Sequence, residues 1–138
     1  MNDKCFIDSN LLVYAFDQND DIKRKIVCDF LEQLKKNDIP IISTQSLGEF
    51  FNVTTKKFKL PKQTAMNICE QFSKMFPVYE ISKENVLHAM SISKKTQFSY
   101  WDSLVLAVAI DAGCSTVYSE DLSNGQIIEG LTVVNPFV

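Results

Sequence analysis

An apolar segment that stops on an acid, Cys5-Phe6-Ile7-Asp8-Ser9-Asn10, runs directly into a second apolar segment, Leu11-Leu12-Val13-Tyr14. A carboxylate at the end of a buried strand is costly unless something pairs with it. In open α/β sheets the C-terminal ends of the strands are where ligands bind. The pattern recurs near the other end of the chain, where Thr116-Val117-Tyr118 leads into Ser119-Glu120-Asp121. Two more acids stand in apolar company: Asp102 opens an apolar helix, and Glu49 sits beside Phe50 and Phe51. Four such acids point to a site for a hard cation, and so to a metal-dependent enzyme.

The pattern between these acids alternates strand and helix. Lys4 to Ile7 reads as a strand, followed by a short helical turn from Leu11. Asp20 or Asp21 caps a helix reaching Lys36, with Ile22, Ile26, Phe30, Leu31 and Leu34 on one face. Ile39 to Ile42 is a second strand, and Thr44 or Ser46 caps a helix that carries Glu49, Phe50, Phe51 and Val53. Pro61 fits the first turn of a helix running to about Met75. Val78 to Ile81 is strand-like, and Ser82 opens a helix to about Lys95. Ser99 opens another, Trp101 to Ala112, which Gly113 ends in a left-handed conformation. Thr116 to Tyr118 is a strand, Asn124-Gly125 a turn, and Thr132 to Val134 the last strand. This order predicts a mainly parallel sheet covered on both faces.

With 138 residues, no repeat and only four Gly and four Pro, residues 1–138 are expected to form one domain. No apolar run has the length of a membrane span. The start, Met1-Asn2-Asp3-Lys4, lacks the basic and long apolar regions of a signal peptide, so a soluble, cytoplasmic protein is expected. Cys5, Cys28, Cys69 and Cys114 form no C-x-x-C unit, which argues against a zinc knuckle or thioredoxin-like site and for cysteines packed as small core hydrophobes. The net charge of −3 excludes a general polyanion binder. Of the local basic stretches, most read as solvated helix faces. Lys56, Lys57, Lys59 and Lys62 cross a helix end and the start at Pro61, where lysines can meet phosphates.

If the strands before Asp8 and Asp121 are neighbours, these two side chains emerge at one sheet edge, within reach of Glu49 and Asp102. Two carboxylates about 4 Å apart repel by roughly 4 kcal/mol at an effective dielectric of 20. Several together need a cation or protons, and oxygen-only ligands select Mg²⁺ or Mn²⁺ over zinc. Ser9, Asn10 and Ser119 supply hydroxyls and an amide that can orient a carboxylate or a bound water. Each acid also has a plainer role open to it. Asp8 can cap the turn at Ser9, Asp102 can complete a capping box with Ser99, Asp121 can serve the turn at Asn124-Gly125, and Glu49 can be solvated. The single histidine, His88, reads as a packed or half-exposed helix residue with no partner nearby in the sequence. Asp17-x-Asn19-x-Asp21 lacks the Gly and Glu of a calcium loop, with Ile22 and Cys28 in those places. No G-x-S-x-G, Walker A or G-x-G-x-x-G pattern occurs.

Taken in order, these segments resemble the PIN-domain family, and within it the VapC-type toxins of toxin–antitoxin pairs. Phe6-Ile7-Asp8-Ser9-Asn10-Leu11-Leu12-Val13-Tyr14-Ala15 is similar to the family's opening motif. Glu49 in Ser46-Leu47-Gly48-Glu49-Phe50, Asp102 in Trp101-Asp102-Ser103-Leu104, and Asp121 in Tyr118-Ser119-Glu120-Asp121-Leu122 match its further acids. The run from Asn124-Gly125-Gln126 to Val134-Asn135-Pro136-Phe137 is similar to a common subgroup.

The resemblance implies a three-layer α/β/α sandwich and a Mg²⁺- or Mn²⁺-dependent endoribonuclease. Asp8, Glu49, Asp102 and Asp121 would hold the metal, and an activated water would attack the phosphodiester in line. Ser119 would support them from behind, while Glu120 competes for the role of the fourth acid. The resemblance also implies a homodimer and a cognate antitoxin that blocks the site. Two other classes compete. A haloacid-dehalogenase-like phosphatase also places a nucleophilic Asp after its first strand, but wants another Asp where Asn10 stands. A non-catalytic RNA-binding module would bind RNA without needing Asp8 or a metal.

Overall fold

The computed structural model describes residues 3–138; Met1 and Asn2, which belong to the segment where no signal peptide is expected, lie outside the described residues. Six strands form one sheet in the order β3-β2-β1-β4-β6-β5. They are β1 (Lys4–Ile7), β2 (Ile39–Ser43), β3 (Val78–Tyr79), β4 (Thr116–Tyr118), β5 (Ile127–Ile128) and β6 (Leu131–Val134). All neighbours run parallel except β5, which pairs antiparallel with β6 at one edge. The chain moves from β1 outward through β2 to β3, then returns to the other side of β1 with β4 and β6. The order therefore reverses between β1 and β4, and a crevice opens beyond the C-terminal ends of strands at such a switch point.

Residues alternate between the two faces of β1. Cys5 and Ile7 pack on one side with Leu11, Leu12, Val27, Ile42, Phe50 and Phe72. That layer is built by α1 (Ser9–Tyr14), α2 (Asp21–Asn37), α3 (Thr44–Lys56) and α4 (Lys62–Met75). Phe6 faces the opposite core, with Val117, Val133 and the apolar run Leu104 to Ala109. Two helices cover that side, α5 (Lys83–Lys95) and α6 (Tyr100–Asp111). Seven consecutive residues of α6, Ser103 to Ala109, are buried, so this helix is apolar all round rather than on one stripe. The three-layer α/β/α fold expected from the alternation of elements is the fold found.

Several details differ from the sequence reading. Helix α2 buries Val27, Leu31 and Leu34, spaced at i, i+4 and i+7, while Ile22 and Ile26 are exposed. Val27, next to Ile26, is fully buried, so the buried stripe is rotated around the helix from the face that carries Ile22 and Ile26. Ser43, the last residue of β2, caps α3, and Ser46 returns its hydroxyl to the Ser43 N–H at 3.0 Å. Neither Thr44 nor Ser46 is the cap itself. Pro61 sits just before α4. Strand β5 was not expected. Cys5 and Cys114 are core residues, but Cys28 is exposed and Cys69 half-buried. His88 has partners after all: Nδ1 lies 2.9 Å from Asp111 and Nε2 3.2 Å from Glu129. Both acids arrive from other elements, which explains why nothing in the local sequence announced them.

Ser99 caps α6 by accepting the Asp102 N–H at 3.1 Å. Asp102 does not return a bond to the Ser99 N–H, so only half of the expected capping box forms. Replacing Ser99 by Ala leaves that amide without its partner and should cost about 1 kcal/mol. A chain of this size should then melt about 3–5 °C lower, a shift that thermal denaturation followed by circular dichroism would register.

Candidate active site at the switch point of the sheet

Strands β1 and β4 are direct neighbours, with Ile7 opposite Tyr118. Asp8 and the Ser119–Asp121 segment therefore leave the sheet side by side. The pairing continues past the strand ends, since the Asp8 N–H donates to Tyr118 at 3.0 Å and the Ser119 N–H to Val134 at 3.0 Å. Asp8 is only 8 % exposed. Its Oδ1 accepts the Ser9 N–H at 2.7 Å, and its Oδ2 accepts the Ser119 hydroxyl at 2.7 Å. The plainer role is thus also filled, because Asp8 is the N-terminal cap of α1.

Ser119, fully buried, is the hub of the site. While donating to Asp8, its Oγ accepts the Asp121 N–H at 3.1 Å and stands 3.5 Å from the Asn10 side-chain nitrogen. One hydroxyl proton and two lone pairs are thereby used in full. From α3, Glu49 meets α1 through its Oε1, which accepts the Ser9 hydroxyl at 3.0 Å.

Burial pushes the Asp8 carboxyl up to about 6, and the nearby negative charges of Glu49 and Asp121 push in the same direction. The bonds from Ser119 and Ser9 oppose the rise without cancelling it. Loss of water around the charge is the larger cause.

In front of these groups lies a cleft of about 360 Å³, lined by Ser9, Asn10, Glu49 and Asp121 together with Tyr14, Asp17, Asn52, Lys57 and Phe58. Of the residues singled out from the sequence, Asp8, Ser9, Asn10, Glu49, Ser119 and Asp121 come together here. Asp102 is half-buried in the first turn of α6 and is not among the lining residues. Among the described residues, no three His, Cys, Asp or Glu side chains are grouped closely enough to hold a metal ion. The Asp8 and Glu49 carboxylates are instead engaged by Ser9 and Ser119.

The site nonetheless suits a hard cation in kind. Its anionic donors are all carboxylates, and Asn10 contributes a buried Oδ1 that has no hydrogen-bond partner among the described residues. A buried acceptor left without a donor is unusual, and carboxylate and amide oxygens are the ligands that Mg²⁺ and Mn²⁺ prefer.

Glu120 does not share this cleft. Its carboxylate takes the Tyr14 hydroxyl on one oxygen and Lys23 Nζ, at 2.5 Å, on the other. These bonds hold its carboxyl below its ordinary range. Lys23 Nζ also lies 4.5 Å from the Tyr14 ring centre and 4.9 Å from that of Phe137. Of the four lysines proposed from the sequence, Lys57 alone lines the cleft; Lys56, Lys59 and Lys62 are exposed outside it. The sequence reading passed over Asn52. It lies at i+3 from Glu49, the spacing that would have placed it on the same helix face.

The PIN domain family model matches residues 5–123. The chain belongs to the PIN domain family. Solved structures share its fold. The VapBC2 complex of Rickettsia felis, bound to a DNA fragment from its promoter, is 21% identical with a TM-score of 0.69, over 96% of this chain and 98% of that one. VapBC of Salmonella typhimurium, also bound to DNA, is 17% identical with a TM-score of 0.70, covering 99% of both chains. VapC20 of Mycobacterium tuberculosis, a toxin that cleaves the sarcin–ricin loop, is 15% identical with a TM-score of 0.69, over 85% of this chain and 89% of that one. No curated protein gives a significant match.

Proposed function

We propose that residues 1–138 form a single nuclease domain, the toxin of a toxin–antitoxin pair, which hydrolyses RNA phosphodiester bonds with a Mg²⁺ or Mn²⁺ ion. The observation that carries this reading is the desolvated Asp8 carboxyl, raised to about 6 beside Glu49 and Asp121 at the sheet's switch point. A carboxylate is kept there against its cost when a cation or phosphate chemistry needs it.

Asp8, Glu49 and Asp121 are the residues that would hold the ion, with Asn10 Oδ1 as a neutral donor. Asp102, in the first turn of α6, is the fourth acid of the proposed set. Bound there, a divalent ion would neutralise phosphate charge and lower the pKa of the attacking water. Ser119 fixes the Asp8 carboxylate and the Asp121 backbone together, and Ser9 links Asp8 to Glu49. These bonds set the acids in place before substrate arrives. Lys57 offers the cleft a cation for a phosphate of the RNA.

The toxin role and the antitoxin partner are supported by the VapBC complexes that share the fold. A homodimer and a cytoplasmic location are part of the same proposal; among the described residues no helix is long and apolar enough to cross a membrane.

Incubating the purified protein with RNA in Mg²⁺, Mn²⁺ or EDTA tests the reading. Cleavage in either metal and none in EDTA is expected. Intact RNA in all three, or a phosphoenzyme trapped on Asp8, would reject it. Within that assay Glu120→Gln should keep its rate within about threefold and lose at most about 1 kcal/mol of stability, since its partners are surface groups. Asp121→Asn should lose roughly a hundredfold. The opposite order would make Glu120 the fourth acid.

A further inference from the structure

Helix α3 and its C-terminal cap Lys57 bring other side chains to the cleft besides Glu49. Glu49, Asn52, Val53 and Lys57 stand at i, i+3, i+4 and i+8, one continuous face, and all line the cleft. Along the axis, Glu49 and Lys57 are about 12 Å apart at 1.5 Å per residue. The strip thus begins at the acids and ends on a cation. Just beyond it, Phe58 turns its half-buried ring into the same cleft, with Lys57 Nζ 5.8 Å from the ring centre.

The turn that presents Phe58 is fixed by the backbone. The Lys57 N–H donates to Val53 at 2.8 Å and the Leu60 N–H to Thr54 at 3.0 Å. Between them Lys59 adopts a left-handed φ of 58°, which L-residues other than Gly, Asn and Asp rarely adopt. The buried Thr54 hydroxyl anchors the same turn of helix, donating to Phe50 at 2.7 Å. Neither the Asn52 side-chain amide nor Lys57 Nζ has a hydrogen-bond partner among the described residues, although both line the cleft.

We infer that this strip is a nucleotide subsite, holding one unstacked base and its phosphate from single-stranded RNA. Phe58 is the stacking face, Asn52 reads the base edge, and Lys57 meets the phosphate. Aromatic rings accept any base by stacking, and an amide adds donor and acceptor for its edge. A cleft of about 360 Å³ has the size of a small-ligand pocket. It has room for a splayed nucleotide. The identity of the ligand as RNA rests on the nuclease reading; the test keeps the two separable.

Binding of a fluorescent single-stranded oligoribonucleotide is measured by anisotropy in EDTA for wild type, Phe58→Leu, Phe58→Trp and Asn52→Ala. The same RNA as a duplex is the control, and thermal melts check each variant's fold. Phe58→Leu keeps apolar bulk and should weaken binding about tenfold, while Phe58→Trp should restore it. Asn52→Ala, on an exposed helix position, should flatten the preference among oligonucleotides that differ in one base. If Phe58→Leu matches wild type, or duplex binds as well as single strand, the subsite is wrong whether or not the protein cleaves RNA. If binding depends on Phe58 but no metal yields cleavage, the subsite stands and the nuclease reading falls.

Discussion

Asp8→Asn should abolish RNA cleavage, by about a thousandfold or more, in a protein that still folds. Asn has nearly the shape of Asp and retains one oxygen, which keeps the bond from either Ser9 or Ser119. The charge and one accepted hydrogen bond are removed, while the volume is kept. Electrostatic groups aimed at the reacting centre are each worth about 10²–10³ in rate. Asp8 carries the additional burden of being the most buried acid at the site. Initial rates in Mn²⁺ at matched protein concentrations give the answer. A variant that keeps a tenth of the wild-type rate would remove Asp8 from the centre of the mechanism and leave Glu49 and Asp121 to be tested in its place.

The same substitution should stabilise the metal-free protein at neutral pH. Unfolding returns the Asp8 carboxyl from about 6 to its ordinary 3.8. Between those values the folded state binds more protons than the unfolded one, so stability falls as pH rises through that window. At about 1.4 kcal/mol per pH unit, the charged carboxylate costs the folded state roughly 3 kcal/mol at pH 7. Asn does not titrate. Its NH₂ must face either the Ser9 N–H or the Ser119 hydroxyl, which forfeits about 1 kcal/mol of hydrogen bonding. The net gain is about 2 kcal/mol at pH 7, and it should shrink and then reverse toward pH 4. Urea melts in EDTA from pH 4 to pH 8 would trace this. A difference between wild type and Asp8→Asn that does not vary with pH would contradict it. Loss of function together with gain of stability is the behaviour of a residue held in place for chemistry.

Much of this was legible in the chain. The segment Cys5-Phe6-Ile7-Asp8 announced both strand β1 and the acid at its end, because an apolar run that stops on a carboxylate has few other uses. Ser82 and Ser99 marked the starts of α5 and α6, since an N-cap is a local bond between residues three apart. What depended on distant partners was not legible. Ile22 and Ile26 carry helical periodicity but lie on a face of α2 turned away from the buried stripe of Val27, Leu31 and Leu34. His88 meets Asp111 and Glu129 only after the chain has folded. Strand β5 is two residues long, with Ile127 67% exposed, and exists because Glu129 and Gly130 turn the chain back with φ of 48° and 86°.

At the site, Ser119 could be named as a supporting residue from its place beside Asp121. Its bond to Asp8 required the parallel pairing of β1 with β4, a long-range fact. Asp102 shows the opposite limit. Its place in the sequence pattern is strong, and in the fold it stands in the first turn of α6, where its N–H is held by the Ser99 cap.

The central claim is that Asp8 anchors a site for a hard divalent cation. Calorimetric titration of Mn²⁺ into wild type and Asp8→Asn at pH 6 tests it most directly. Saturable binding to wild type, with protons released as the Asp8 carboxyl ionises, and no binding to the variant is the predicted result. Equal Mn²⁺ affinity in both proteins would place the ion, and with it the chemistry, somewhere other than at Asp8.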